Sequence, residues 1–353
     1  MKTKLIKIDN LKAQKEALHE AGELIRRGEV VAFPTETVAG LGASGLDADA
    51  CAKIYQAKGR PSDNPLILHV ANRSMIDQVA AFIPGKAEKL LAAFCPGPIT
   101  LILPRRSLVP DRITGGLATV GVRMPEHDVA RALIAAAGVP IAAPSANISG
   151  RPSPTTAEAV LTDMDGKIPL ILDGGSCDFG VESTIVDAVG DKAVILRPGA
   201  ITKEMLEEVL GEGSVVIDPA LVGADSVPRA PGMKYTHYAP KAPLTLIEGL
   251  PTRMARAFRR EISRLQTEGH TVGIMASHEV LKELADIVPA KLMADYGHQG
   301  NLPAIAANIY EALRSFDDKQ ADVLLGEGTT SAGLGLAIMN RLHKASGFRT
   351  IQA

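Results

Sequence analysis

Between Pro34 and Val70 the chain gathers residues able to hold a polyphosphate. Hydroxyls stand at Thr35 and Thr37, a glycine run follows, and Lys58 and Arg60 close a short helical segment. Backbone amides and hydroxyls can bind phosphate oxygens, Lys adds a point charge and Arg a planar fork. Pro61 and the Asn64-Pro65 pair stiffen the loop that follows, which would keep those two charges in place. The loop runs into an apolar strand carrying His69. A helix capped at Gly59, with two solvated cations, fits the same spacing.

Other constellations are weaker singly. Ser145-Ala146-Asn147 lies just past the apolar run Pro140–Ala143, at a strand end where ligands of open α/β sheets usually sit. An ordinary polar turn would look the same. Arg123 closes the run Thr119–Arg123, and Glu182-Ser183-Thr184 and Arg197-Pro198-Gly199 flank a hairpin-like connection. A charge at such a strand end is a sheet-edge gatekeeper or a carboxylate clamp. Gly40-Leu41-Gly42-Ala43-Ser44-Gly45 matches G-x-G-x-x-G, but the strand before it ends at Pro34, too early for a dinucleotide turn. No Walker pattern, no G-x-S-x-G elbow and no His or Cys cluster with metal spacing is present. A lone strand histidine such as His69 is more often structural than catalytic. Together the set offers hydroxyls, amides and guanidiniums without an obvious nucleophile. It suits binding and orienting a nucleotide beside a small anionic substrate that itself attacks.

These groups need a scaffold, and the length of 353 residues suggests two domains. Trp is absent and aromatics are 3%, so the core is aliphatic and base-stacking platforms are scarce. Net charge is -2, and the first two hundred residues carry as many Lys and Arg as Asp and Glu, which disfavours tight stand-alone RNA binding. Three scattered cysteines read as reduced thiols of a cytoplasmic protein. The opening MKTKLIKIDN has no signal-like apolar run, and no stretch is long enough to span a membrane.

Strand-like runs over Lys4–Ile8, Val30–Phe33, Leu66–Val70, Ile99–Leu103, Thr119–Arg123, Pro140–Ala143, Pro169–Leu172, Thr184–Asp187 and Ala193–Leu196 alternate with helical patterns. The last pair is joined by a hairpin-like connection, so the spacing predicts a mixed sheet with flanking helices over residues 1–210. Residues 211–241 lose periodicity and read as a linker, although Tyr235, His237 and Tyr238 are rich in chemistry for a spacer. Residues 242–353 alternate β and α again, as in a small three-layer α/β domain.

The string Pro34-Thr35-Glu36-Thr37-Val38, with Gly40-Leu41-Gly42, Lys58-Gly59-Arg60-Pro61, Asn64-Pro65-Leu66-Ile67, His69, Ser145-Ala146-Asn147 and Glu182-Ser183-Thr184, resembles the YrdC-type family. The linker PGMKYTHYAP and the additional domain resemble the longer, two-domain threonylcarbamoyl-AMP synthases. The resemblance implies a YrdC-like twisted open mixed sheet and a smaller Rossmann-like domain. It implies synthesis of L-threonylcarbamoyladenylate from L-threonine, bicarbonate or CO2 and ATP, with release of pyrophosphate. A separate transferase complex would then modify tRNA. By resemblance, Thr35, Thr37, His69, Arg123, Ala143 and Ser183 surround threonine. Lys58, Arg60, Asn64, Thr119, Ser145, Asn147, Ser153 and Arg197 hold ATP, with Lys58 and Arg60 as the catalytic pair. His237 and Tyr238 form a lid, and Mg2+ arrives with ATP. Where the family usually carries Tyr this chain has Ala39, and Ala39→Tyr is expected to be tolerated. Two other classes compete: a double-stranded RNA-binding or ribosome-associated module without turnover, and a dinucleotide-dependent oxidoreductase built on Gly40, Gly42 and Gly45.

Overall fold

The computed structural model describes residues 2–62, 64–221 and 238–353. The chain forms two compact units, one of residues 1–149 and 153–234, the other of residues 150–152 and 235–353.

The first unit is built on eleven strands: β1 (Lys4–Lys7), β2 (Val31–Phe33), β3 (Gly40–Ser44), β4 (Ile67–His69), β5 (Ile99–Pro104), β6 (Thr119–Arg123), β7 (Ile141–Ala142), β8 (Leu170–Asp173), β9 (Thr184–Asp187), β10 (Ala193–Arg197) and β11 (Val215–Ile217). They lie in the order β1-β8-β2-β3-β7-β4-β6-β5-β9-β10-β11. The sheet is mixed, as the spacing predicts. β4 and β6 run parallel, β7 lies antiparallel to β4, and β9 and β10 form the antiparallel hairpin. Its core is aliphatic, with Leu41, Leu68, Ile99, Leu133 and Ile171 almost fully buried.

β3 is the element that the glycine run concealed. It pairs antiparallel with β2, so residues 34–39 are a hairpin connection. A Cβ on Gly42 would stand 2.6 Å from Ile141 Cγ2 and 2.7 Å from the Phe33 ring, and one on Gly45 would stand 2.5 Å from Leu68 Cδ2. The glycines therefore serve close packing in the sheet and its turn, and dinucleotide chemistry has no claim on them. β11 lies inside the stretch read as linker and pairs parallel with β10. The helix Ala48–Lys58 begins where Asp47 accepts from the amides of Asp49 and Ala50. It ends where Gly59 turns left-handed at φ 62°, which makes Lys58 the last helical residue.

The second unit holds β12 (Leu244–Glu248), β13 (Val272–Ala276), β14 (Met293–Asp295), β15 (Val323–Glu327) and β16 (Thr350–Gln352). All pairings in this sheet are parallel, in the order β14-β13-β15-β12-β16. The helix Pro251–Thr267 packs with His278–Leu284, and Leu302–Arg314 with Leu334–Ser346, so two helix pairs flank the sheet. β14 and β16, of three residues each, escaped the sequence pattern.

Candidate active site

The hairpin between β2 and β3 buries Thr35, Glu36 and Thr37. Thr35 Oγ1 donates to Val38 O at 2.7 Å and lies 2.9 Å from Thr37 Oγ1, so the two hydroxyls share one compact turn. Glu36 O accepts from Phe179 N at 2.9 Å, tying the loop to the segment that follows β8.

His69 ends β4 and Arg123 ends β6, and the parallel register places them side by side. Burial first, and the Arg123 charge second, push the His69 imidazole down to about 3. The ring is therefore neutral at neutral pH, with Nδ1 3.2 Å from Ile67 O and its plane near-perpendicular to the Phe33 ring. Arg123 Nη2 lies 2.8 Å from Glu36 Oε2, with both side chains at most 5% exposed. At the same end, Arg197 closes β10: its Nε donates to Ser183 O and its Nη2 to Ser183 Oγ, each at 3.0 Å. Ser183 Oγ also meets Thr100 Oγ1 at 2.7 Å. Gly199 permits this crossing, because a Cβ there would stand 2.4 Å from Thr184 N.

The other end of these strands carries the second group. Lys58 is 2% exposed, and its Nζ donates to Asn147 O at 2.6 Å and to Ser145 O. It is no solvated cation but a buried clamp on the loop after β7. Ser145 Oγ donates to Asn147 Oδ1 at 2.5 Å, and Ser145 bridges to Gly40 of β3. Arg60 Nη2 donates to Pro65 O at 3.2 Å, folding the loop after the helix onto itself. Asn64 is buried, with Tyr55 Oη donating to its carbonyl at 3.0 Å and its own Oδ1 left without a partner. Thr119 starts β6 and lines a small cavity with Pro65 and Leu66. It lies four residues from Arg123, about 13 Å along a strand at ~3.3 Å per residue. Ala143 sits between the groups, its N–H donating to Ile67 O at 2.9 Å.

His69, Arg123 and Ser183 thus gather at one end, and Lys58, Arg60, Asn64, Thr119, Ser145 and Asn147 at the other; the β2–β3 hairpin with Thr35 and Thr37 opens beside Ser145 and Ala146, and its Glu36 reaches from there to Arg123. Two residues assigned to ATP fall with the first group: Arg197 on Ser183, and Ser153, whose Oγ donates to Glu182 Oε1 at 2.6 Å. Tyr238 belongs to the second unit, buried, at φ 67°, its ring 5.2 Å from that of Tyr310. His237 lies outside the described residues. Ala39 is 6% exposed and borders a cavity of about 10 Å3 between Phe33, Pro34, Thr155 and Val160. That is room for about one water, so the expectation that a tyrosine ring is tolerated there is corrected by the packing. Sequence reasoning also passed over Glu36 and Thr100. Glu36 carried one signal, a carboxylate set between two hydroxyls of a motif otherwise read for phosphate.

The Sua5/YciO/YrdC family model, described as "Telomere recombination", matches residues 23–199, and the model described as "Threonylcarbamoyl-AMP synthase, C-terminal domain" matches residues 201–347. A Bacillus subtilis protein named threonylcarbamoyl-AMP synthase is 47% identical over 98% of this chain and 97% of its own. One of the same name from Pyrococcus abyssi is 47% identical over 94% of each. The crystal structure of Pyrococcus abyssi Sua5 complexed with L-threonine superposes with a TM-score of 0.92 at 45% identity, covering 99% of this chain and 100% of that one. The class is therefore an α/β enzyme of nucleotidyltransferase type. Within it, the chain belongs to the threonylcarbamoyl-AMP synthase family, in its two-domain form.

Proposed function

We propose that this enzyme condenses L-threonine, bicarbonate or CO2 and ATP into L-threonylcarbamoyladenylate and pyrophosphate, for threonylcarbamoyladenosine modification of tRNA. The observation that carries the reading is the pairing of two differently equipped strand ends. A buried arginine beside a neutral histidine faces one way, and the Lys58–Ser145–Asn147 clamp lies at the other. The threonine complex of the Pyrococcus abyssi relative supports L-threonine as the amino acid.

In this reading the threonine carboxylate meets Arg123, with Thr35, Thr37, His69, Ala143 and Ser183 around the rest of the molecule. The amine, after losing a proton, adds CO2 to form a carbamate and releases a second proton. A carbamate oxygen then forms a bond to the α-phosphorus as the bond to pyrophosphate breaks. A neutral His69 can accept or donate one hydrogen bond without adding a charge that would compete with Arg123. Lys58 and Arg60, with Asn64, Thr119, Ser145, Asn147, Ser153 and Arg197, position the nucleotide and balance charge on the phosphates. Among the described residues no group of three or more His, Cys, Asp or Glu could hold a metal ion, so Mg2+ would come with the ATP phosphates. Residues 1–217 carry this chemistry, with β11 completing the sheet, and His237 and Tyr238 would serve as the lid. The product passes to a separate tRNA-modifying transferase complex, a division of labour supported by the lack of basic excess in the chain. Three free thiols, and the lack of any membrane-length apolar helix among the described residues, support a cytoplasmic location.

Incubation with ATP, L-threonine and bicarbonate should release pyrophosphate only when all three are present. Threonine-independent release, or none, overturns the reading.

A further inference from the structure

We propose that Glu36 is a positioning residue of the amino-acid end, holding the Arg123 guanidinium as an oriented cation for the substrate's carboxylate. The inference rests on the reading that Arg123 receives that carboxylate.

The pair is unusual within this chain. Arg73 grips Glu88 through two nitrogens at 2.7 and 2.6 Å, and Arg259 grips Asp286 at 2.9 and 2.7 Å. Those pairs lie at the surface with aligned hydrogen bonds. Glu36 and Arg123 are 2% and 5% exposed, and although Nη2 and Oε2 stand 2.8 Å apart, the N–H is not directed along the contact. Both Glu36 oxygens, and Nε and Nη2 of Arg123, have no hydrogen-bond partner. A buried ion pair stabilises a fold when its remaining hydrogen-bonding capacity is filled. This one is buried with the capacity unfilled, so holding the fold together does not account for it.

The surroundings supply the reason. Arg123 and Arg197 both bear on His69 with positive charge, and both depress its proton affinity. Two buried guanidiniums beside a neutral imidazole need an anion before any substrate arrives, and Glu36 provides it. Its backbone is anchored by Phe179 N and by the turn that holds Thr35 and Thr37, so its carboxylate is a fixed point. His127 and Asp178 also lie within electrostatic reach of this region, and His127 Nδ1 is buried without a partner. The guanidinium meets Glu36 through Nη2, and Nε and Nη2, without hydrogen bonds of their own, keep capacity for the incoming carboxylate. Glu36 thus acts through Arg123, fixing how the guanidinium is held.

The test is initial-rate kinetics of pyrophosphate release by the full-length enzyme. Glu36→Gln keeps the size and removes the charge. It should raise the threonine KM about tenfold or more, leave the ATP KM unchanged, and keep kcat at saturating threonine within about twofold. Glu36→Asp should recover part of the threonine KM. A purely structural role would move the parameters of both substrates together, or lower the melting temperature without separating them, and either result overturns the proposal. So does an unchanged or lowered threonine KM. If Glu36→Gln does not fold, Arg123→Gln and the neutral double variant Glu36→Gln/Arg123→Gln take its place. Equal threonine KM values in these two support Glu36 acting through Arg123, and a further rise in the double variant refutes it. Should Arg123→Gln itself leave the threonine KM untouched, the carboxylate reading of Arg123 fails, an outcome distinct from failure at Glu36 alone.

Discussion

Lowering the pH from 7.5 to 5 should cost the protein about 2 kcal/mol through His69 alone. In the unfolded chain the imidazole takes up a proton near its ordinary value of about 6.5. In the folded chain burial, and then Arg123, hold it down to about 3. As pH falls through 6.5 the unfolded state binds a proton that the folded state refuses, so stability is present above that point and lost below it. The loss is complete only near pH 3. At pH 5 the unfolded group is about thirtyfold more protonated than not, which at ~1.4 kcal/mol per tenfold gives about 2 kcal/mol. His69→Asn retains a donor for Ile67 O and does not titrate. Urea titrations followed by far-UV circular dichroism at pH 7.5 and 5.0 measure both proteins. Other groups titrate too, so the difference between wild type and variant carries the information. The variant should lose about 2 kcal/mol less than wild type across this interval. Equal losses would show that the ring is not held neutral by burial, and the account of a charge-free histidine beside Arg123 would be wrong.

Two further outcomes follow from the packing. Lys58→Met removes the donor from Ser145 O and Asn147 O, and buried acceptors left unmet cost about 1–3 kcal/mol each. The variant should stay folded by circular dichroism, melt at a lower temperature and lose turnover; wild-type turnover would remove Lys58 from the nucleotide machinery. Ala39→Tyr places a ring beside a cavity of about 10 Å3, an overpacking worth about 1–3 kcal/mol. Thermal melts should show it less stable than the parent, and an unchanged melting temperature would mean that the ring finds another direction.

Elements whose apolar runs are uninterrupted were legible in the sequence. Thr119–Arg123 and Thr184–Asp187 appear with the bounds their patterns suggest. β3 was not, because glycine lowers strand propensity and the reason for these glycines is tertiary, in the Phe33 ring and the Ile141 side chain. Three-residue strands such as β14 and β16 are too short to show a period. Among the site residues, the phosphate-like features of Lys58 and Arg60 were visible as residue types, yet the burial of Lys58 was not. That burial depends on the loop after β7, far along the chain, folding back over the helix end. Glu36 was hidden for the same reason, since its meaning arises only where the end of β6 meets the β2–β3 hairpin.

β4, β6 and β7 together give the molecule a ruler. The two groups of side chains are separated by the length of β6, and β4 beside it is three residues long and flanked by β7 on its other side. Strand spacing does not stretch, and inserting a residue would turn the following side chains to the opposite face of the sheet. The gap between the Arg123 end and the Thr119 end is therefore set by a whole number of peptide units. Loops around the site can change in length without altering that gap, whereas the strands that span it cannot.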